Sequence, residues 1–395
     1  MPYDILTLDG GGSWALIEIE ALVNLYGINS TGHQILGHFD LVAANSGGSL
    51  VLGGLVENKS LSEIRNLFLD ESQRRSIFSP TREPGTLRDL AGIGPKYSAA
   101  AKLAALERLY PNAGTRPVEG IAAAMNITGK NGAAVHLLVV AFDYDHNRAV
   151  FFRSAPAGGA DWGDGASSAM TLAGAIHASS NAPVNYFDAP AEYPGVPGRY
   201  WDGAITGCNN PILPALTEAV VLGQKPADLR ILSLGSAALM LPLAAPGAQP
   251  SPYEAQRGSP GTLADLRKLS TSVLDDPPDA GTFIAHAVTG GSRGLTAPVV
   301  SRVVRMNPLI SPLKGPGGIW TAPSGWTAAQ FQYLAKIDMD AIEQNEVAYI
   351  QDFATYWLAD KVPNQPIRAN GTTLAAEIGY ARFSEAKAAW SRLFP

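Results

Sequence analysis

Short apolar runs alternate with longer stretches of helical character over the first 240 residues. Ile5–Leu8, Phe39–Ala44, Val135–Phe142, Ala149–Arg153 and Leu229–Leu234 show little polar alternation. Such runs predict strands buried on both faces. Between them, Leu16–Tyr26, Ser49–Glu57 and Ser98–Tyr110 read as helices. Strand–helix alternation of this kind predicts an α/β fold, a mostly parallel sheet covered by helices. The stretch from Pro242 to Gly261 is crowded with proline and glycine and predicts a long loop or linker, as does Pro308 to Pro323. Beyond it, Thr327–Asp360 and Thr373–Phe394 read as helices. Val347, Ile350, Ala354, Trp357 and Leu358 recur at 3–4 spacing, so one face is apolar. That face fits packing on a core. The opposite face lacks the Lys/Arg excess of a helix lying in a membrane interface.

Composition narrows the function classes. Apolar residues make up 46% of the 395 and charged residues 16%, which describes a folded globular chain. The net charge is −6 and no long basic run occurs, so the footprint of a nucleic-acid binder is missing. The same balance gives no net attraction to anionic membranes. Arg74, Arg75, Arg82 and Arg88 form a local basic cluster, read as a solvated face. A single cysteine, Cys208, excludes an internal disulfide and a cysteine-rich zinc site, and reads as a small buried side chain. The opening MPYDILTLDGGG carries acid rather than base and no apolar core of signal length. The longest uncharged run, Ile231 to Tyr253, holds four prolines and cannot form a membrane helix. A soluble, cytoplasmic protein is expected.

Three segments carry candidate chemistry. Asp9-Gly10-Gly11-Gly12-Ser13 follows the first strand and precedes the first helix. Glycines there let backbone amides approach an anion, with the helix terminus adding positive potential. The pattern is neither G-x-G-x-x-G, since Ala15 stands at the last glycine, nor a Walker A loop, since no Lys-Ser/Thr follows. It also suits a tight strand-to-helix turn. Ala44-Asn45-Ser46-Gly47-Gly48 lies between a strand and a helix, the context of a nucleophile elbow. A sharp turn at Ser46 needs small residues two positions either side, here Ala44 and Gly48. Ser46 is the candidate nucleophile and Gly47 N–H a candidate oxyanion donor, the alternative being a helix N-cap serine. Trp201-Asp202-Gly203-Ala204 reads by itself as a turn.

Six histidines compete as a base: His33, His38, His136, His146, His177 and His286. Only His286 follows Asp202, and it sits in a helical stretch where a packed histidine is the default. His136 and His177 lie in apolar runs and read as core. Asp143, Asp145 and His146, with Asn147, read as a hairpin turn rather than a metal cluster.

Taken together and in this order, the three segments resemble the patatin-like phospholipase family. That family pairs an Asp-Gly-Gly-Gly loop with a G-x-S-x-G serine and a downstream Asp-Gly-Gly or Asp-Gly-Ala. Lys96-Tyr97, Ala178–Pro183 with Phe187, and Val304–Pro308 are similar to further family segments. The resemblance covers about residues 4–310. It implies a three-layer α/β/α domain over 1–310; residues 311–395 lie beyond the resemblance and read from their spacing as a helical extension packed on the same domain. It implies a Ser46–Asp202 dyad hydrolysing lipid esters of the phospholipid or lysophospholipid type through an acyl-enzyme. The amides of Gly10, Gly11, Gly12 and Gly47 would bind the oxyanion, and no cofactor or metal is called for. Trp14, Leu50, Tyr186 and Phe187 are candidate walls for an acyl chain, presented free or at a membrane surface. Two departures stand out: Trp14 and Ala15 replace the family's basic residue and following glycine, and Ala44 replaces a glycine. They motivate the rival reading, a fold that binds a lipid or nucleotide without turnover.

Overall fold

The computed structural model describes residues 2–81, 94–155, 169–256, 258–291, 301–368 and 377–393. Arg82, Arg88 and residues 373–376 and 394 of the second C-terminal segment lie outside them. Eight strands make one sheet: β1 (Tyr3–Leu8), β2 (Leu41–Asn45), β3 (His136–Asp143), β4 (Arg148–Arg153), β5 (Ala191–Tyr193), β6 (Val196–Asp202), β7 (Leu229–Leu234) and β8 (Val303–Met306). The order is β5-β6-β3-β2-β1-β7-β8, with β4 on the other edge of β3. β3, β2, β1, β7 and β8 run parallel, and β4, β5 and β6 join antiparallel.

The apolar runs are continuous because both faces of the central strands are covered. Leu6, Leu8, Val42, Ala44, Val139, Leu232 and Leu234 point into one core. Their neighbours Ile5, Leu41, Ala43, Leu138, Val140 and Ile231 point into the other. Helices α1 (Leu16–Tyr26), α2 (Ser46–Val56), α3 (Ala99–Leu109) and α4 (Leu172–Ser179) cover the first face. α5 (Ile212–Val221) and the C-terminal part of α6 (Thr262–Val288) cover the second. The expected three-layer α/β/α architecture is therefore present. β4 departs from the two-sided expectation. It is a hairpin partner with Phe152 buried and Phe151 36% exposed, so only alternate residues meet the core.

The C-terminal segments also depart in detail. Thr327–Asp360 is two helices, Ala328–Leu334 and α7 (Gln344–Leu358). A capping box between Glu343 and Glu346 restarts the helix, and the non-helical residues between leave backbone groups to bond elsewhere. Val347, Ile350, Ala354 and Trp357 are buried and Leu358 packs at their edge, so the apolar face of α7 is a core face. In the last segment, Glu377–Ile378 pairs with Ile367–Arg368 as short strands, and α8 begins only at Phe383 (Phe383–Leu393). Pro308–Pro323 contains three more short strands: Leu309–Ile310, beside Ala238–Leu239, and Leu313–Lys314, beside Trp320–Thr321. Pro242–Gly261 is a loop among its described residues.

Candidate active site

The register of the sheet explains how residues 156 positions apart meet. β4 pairs along one edge of β3 from Leu138 to Asp143. On the other edge β2 pairs up to Asn45 opposite Val140 and then turns away into α2. β6 takes over that same edge at the next position, with Asp202 opposite Ala141. Ser46 and Asp202 therefore leave adjacent points of one strand edge. Ser46 Oγ donates a hydrogen bond of 2.6 Å to Asp202 Oδ2, and both residues are buried.

Ser46 has φ +46°, a left-handed conformation costing a non-glycine residue about 1–3 kcal/mol. The surroundings hold it there. Its amide donates to Ser179 Oγ at 2.9 Å, and its carbonyl accepts from Ser49 Oγ at 2.5 Å. Gly48 N–H donates to the Asp9 carbonyl at 2.9 Å, and a Cβ on Gly48 would come within 2.6 Å of that oxygen. The small residue required after the serine is thus required by β1, against which α2 starts. Ala44 is fully buried in the core beneath.

Asp202 Oδ1 accepts from the Ala204 amide at 2.9 Å and from Asn45 Nδ2 at 3.4 Å. Burial pushes its carboxyl above the usual range; the bonds from Ser46 and Ala204, the charge of Lys102 and the Asn45 amide pull the other way. Gly203 is fixed by space: a Cβ there would meet Asn45 Oδ1 at 2.4 Å. What reads in sequence as an ordinary Asp-Gly turn is a close approach between β6 and the serine turn.

The triple glycine lies across the head of α2. A Cβ on Gly47 would sit 2.6 Å from Gly12 O and 2.7 Å from Gly12 N, so the two backbones touch. Gly12 and Gly47 stand in first helical turns, where N–H groups have no intrahelical acceptor. Gly11 precedes them as the N-cap of the short 3-10 turn. Gly10 differs from the expectation for it: its amide donates to the Asn209 carbonyl at 2.8 Å and is occupied by that bond.

Sequence reasoning missed a buried cation at the start of the glycine loop. Arg305, on β8, forms a two-pronged ion pair with Asp9, Nη1–Oδ1 2.9 Å and Nη2–Oδ2 2.5 Å, with both side chains about 5% exposed or less. Val304–Pro308 was recognisable as a strand, but nothing in its spacing says which carboxylate the arginine meets. Replacing Arg305 by methionine leaves the Asp9 carboxylate buried without its cation. The expected cost is about 3–5 kcal/mol, read as a lowered midpoint in chemical denaturation.

A strap from the C-terminal region closes the other side. Met339 O accepts from Ser13 N at 2.9 Å and would lie 2.2 Å from a Cβ on Gly12. Tyr186 OH donates to Asp338 Oδ1 at 2.7 Å, Tyr97 OH to Asp340 Oδ2 at 2.6 Å and Lys96 Nζ to the same oxygen at 2.9 Å. Trp14 Nε1 donates to the Asp338 carbonyl at 3.2 Å, and its ring packs edge-on against Phe353. Leu50, Tyr186, Phe187 and Met339 line a cavity of about 20 Å³ around Ser46 and Asp202, enough for one water-sized molecule. Trp14 is not among its lining residues and seals the glycine loop to the strap instead. Asp340→Ala removes the acceptor of the buried Tyr97 bond. A loss of about 1.5–3 kcal/mol is expected and is measurable by urea unfolding.

The remaining candidates fall elsewhere. His286 is buried on α6, in the layer across the sheet, with Nδ1 2.8 Å from Ser301 Oγ. His177 is buried on α4, and burial pushes its imidazole well below the usual value. His146 closes the expected turn, with Nδ1 2.7 Å from Asp143 Oδ2, while Asp145 pairs with Arg199. No three metal-ligating side chains cluster among the described residues. Cys208 is partly buried, and burial raises its thiol. Arg74 is not on a solvated face: it is 2% exposed and donates to the carbonyls of Phe68 and Ile342.

The sheet thus places a serine on a strained strand-to-helix turn, bonded directly to a buried aspartate beneath a glycine loop. The family model of the patatin-like phospholipases matches residues 6–216, and the chain belongs to that family. At family level it is a lipid acyl hydrolase. Among solved structures it is similar to VipD from Legionella pneumophila, at 11% identity and a TM-score of 0.36, covering 90% of this chain and 67% of that one. Human GIVD cytosolic phospholipase A2 is similar over 39% of this chain and 22% of its own length, at 17% identity and a TM-score of 0.23. No curated protein matches. Among the described residues no helix is long and apolar enough to cross a membrane.

Proposed function

We propose that Ser46 and Asp202 form a two-residue acyl-transfer centre that hydrolyses carboxylic esters of lipids, of the phospholipid or lysophospholipid type. The observation that carries this reading is the 2.6 Å bond from Ser46 Oγ to Asp202 Oδ2, with no imidazole between them. Ser46 Oγ attacks the ester carbonyl as its proton passes to Asp202. The carbonyl oxygen, now negative, accepts from the amides of Gly11, Gly12 and Gly47. The C–O bond then breaks, and Asp202 returns the proton to the leaving alcohol. In the second half Asp202 takes a proton from water, whose oxygen attacks the acyl-Ser46 carbonyl. The proton goes back to Ser46 as the fatty acid leaves.

A carboxylate is a weak base for a hydroxyl, and two features support its use here. Burial raises Asp202 toward the proton affinity the step needs. The amino end of α2 favours negative charge at Ser46. One oxyanion donor is worth on the order of 10²–10³ in rate. Entry of an acyl chain requires Leu50, Phe187 or the Met339 strap to give way, because the cavity holds only about 20 Å³.

A fluorophosphonate probe and p-nitrophenyl esters test the reading. Wild type is expected to be labelled and Ser46→Ala not. Asp202→Asn is expected to lose hydrolysis, on the order of 10³-fold or more, and His286→Asn to keep it. Absence of labelling in wild type would support the rival, a lipid binder without turnover. Activity is also expected to fall as pH drops and Asp202 gains a proton. Because burial raises that carboxyl, the acid limb of kcat/KM should lie above the ordinary carboxylate value of about 4.

A further inference from the structure

A lysine is sealed behind the wall of the pocket. Lys102 lies on the core stripe of α3 with Ala99, Ala105 and Leu106 and is 0% exposed. Its Nζ donates to Ser180 Oγ at 3.3 Å and stands 3.9 Å from the centre of the Phe187 ring. Ser180 and Phe187 both line the cavity that contains Ser46 and Asp202. Ser180 Oγ gives its own proton to the Ile176 carbonyl at 2.6 Å, so a lone pair is turned toward the lysine. No ion pair among the described residues includes Lys102.

A leucine or methionine would fill that position without the several kcal/mol that a buried ammonium costs. The charges around it show what offsets that cost. Burial pushes the Lys102 ammonium well below its usual value, and Asp202 is the charge that opposes that push; Lys102 in turn favours the Asp202 carboxylate. His177, from α4, is held neutral by burial and by Lys102 itself. Arg74, from the Glu71–Ile77 helix against α3, is committed to the carbonyls of Phe68 and Ile342. Arg305, the other buried cation near the site, is committed to Asp9. From the serine turn and the Gly203 turn, only Asn45, Ser46 and the Ala204 amide reach Asp202.

We infer that Lys102 is a positioning residue: an ammonium set one layer behind the pocket that keeps Asp202 in its carboxylate form in a dry site. The inference rests on the Ser46–Asp202 reading above. A cation in direct contact would hold the carboxylate too firmly for it to accept the serine proton. A cation separated by Ser180 and Phe187 favours the ionised state without donating to it. It also favours the negative charge that passes to the substrate oxygen when Asp202 is neutralised. The arrangement requires Lys102 to remain protonated across the acid limb of the reaction.

The test is the pH dependence of fluorophosphonate labelling in wild type, Lys102→Met and Lys102→Gln, with thermal unfolding of each. Both variants are expected to fold, Lys102→Met at least as stably as wild type. In both the acid limb should move to higher pH by about one unit, a tenfold loss of rate below the midpoint. An unmoved limb, a uniform fall at every pH, or failure of both variants to fold overturns the inference and leaves Lys102 a packing residue. Wild type that is unlabelled at any pH defeats the dyad reading itself, an outcome distinct from these. Infrared difference spectra of the Asp202 carboxyl in a Ser46→Ala background give an independent reading. The protonated band should appear at higher pH when Lys102 is neutralised, and an unchanged band overturns the inference.

Discussion

The ion pair between Asp9 and Arg305 is the constraint around which the site is built. Asp9 bonds through every polar group it has. Its amide donates to Leu234 at the end of β7, its carbonyl accepts from Gly48 at the start of α2, and its carboxylate takes both prongs of Arg305 from β8. One residue thereby joins the ends of three parallel strands to the turn that carries Ser46. Removing two charges from water is expensive, and the pair is worthwhile only because its geometry is bidentate and Ser233 Oγ accepts a further bond from the same guanidinium at 2.9 Å. The glycine loop that follows Asp9 inherits its position from this anchor.

The second constraint is the shared edge of β3. A parallel strand that turns into a helix leaves the remaining length of its neighbour unpaired, and here an antiparallel strand completes it. The junction of the two is where the serine and the aspartate meet. Asn45 and Gly203 occupy the seam, one bonding Asp202 and the other leaving room for that bond.

Much of this was legible in the sequence, for identifiable reasons. β1, β2, β3 and β7 declared themselves because strands covered on both faces are dominated by apolar residues and lack polar alternation. Ser46 and the triple glycine were visible because a turn that sharp restricts the residues around it. Asp202 was visible only through resemblance, since an Asp-Gly pair alone says turn. The break in Thr327–Asp360 was hidden: no proline or glycine interrupts that stretch, and the real partners of Asp338–Asp340, Ser13, Tyr97 and Tyr186, lie hundreds of positions away or nearly so. Arg74 illustrates the same limit. A cluster of arginines looks solvated until tertiary contacts bury one of them. Lys102 was hidden for the opposite reason, because a lysine on a helix is ordinarily at the surface.

The distribution of these contacts along the chain has a bearing on biosynthesis. A ribosome that has finished residue 216, the last of the family match, has made both Ser46 and Asp202. It has made neither Arg305, the counter-charge of Asp9, nor Met339, the acceptor of the Ser13 amide. A nascent chain of that length holds Ser46 and Asp202 without the contacts that fix the glycine loop beside them. Those two contacts therefore wait until residue 339 has emerged, when most of the polypeptide has been made.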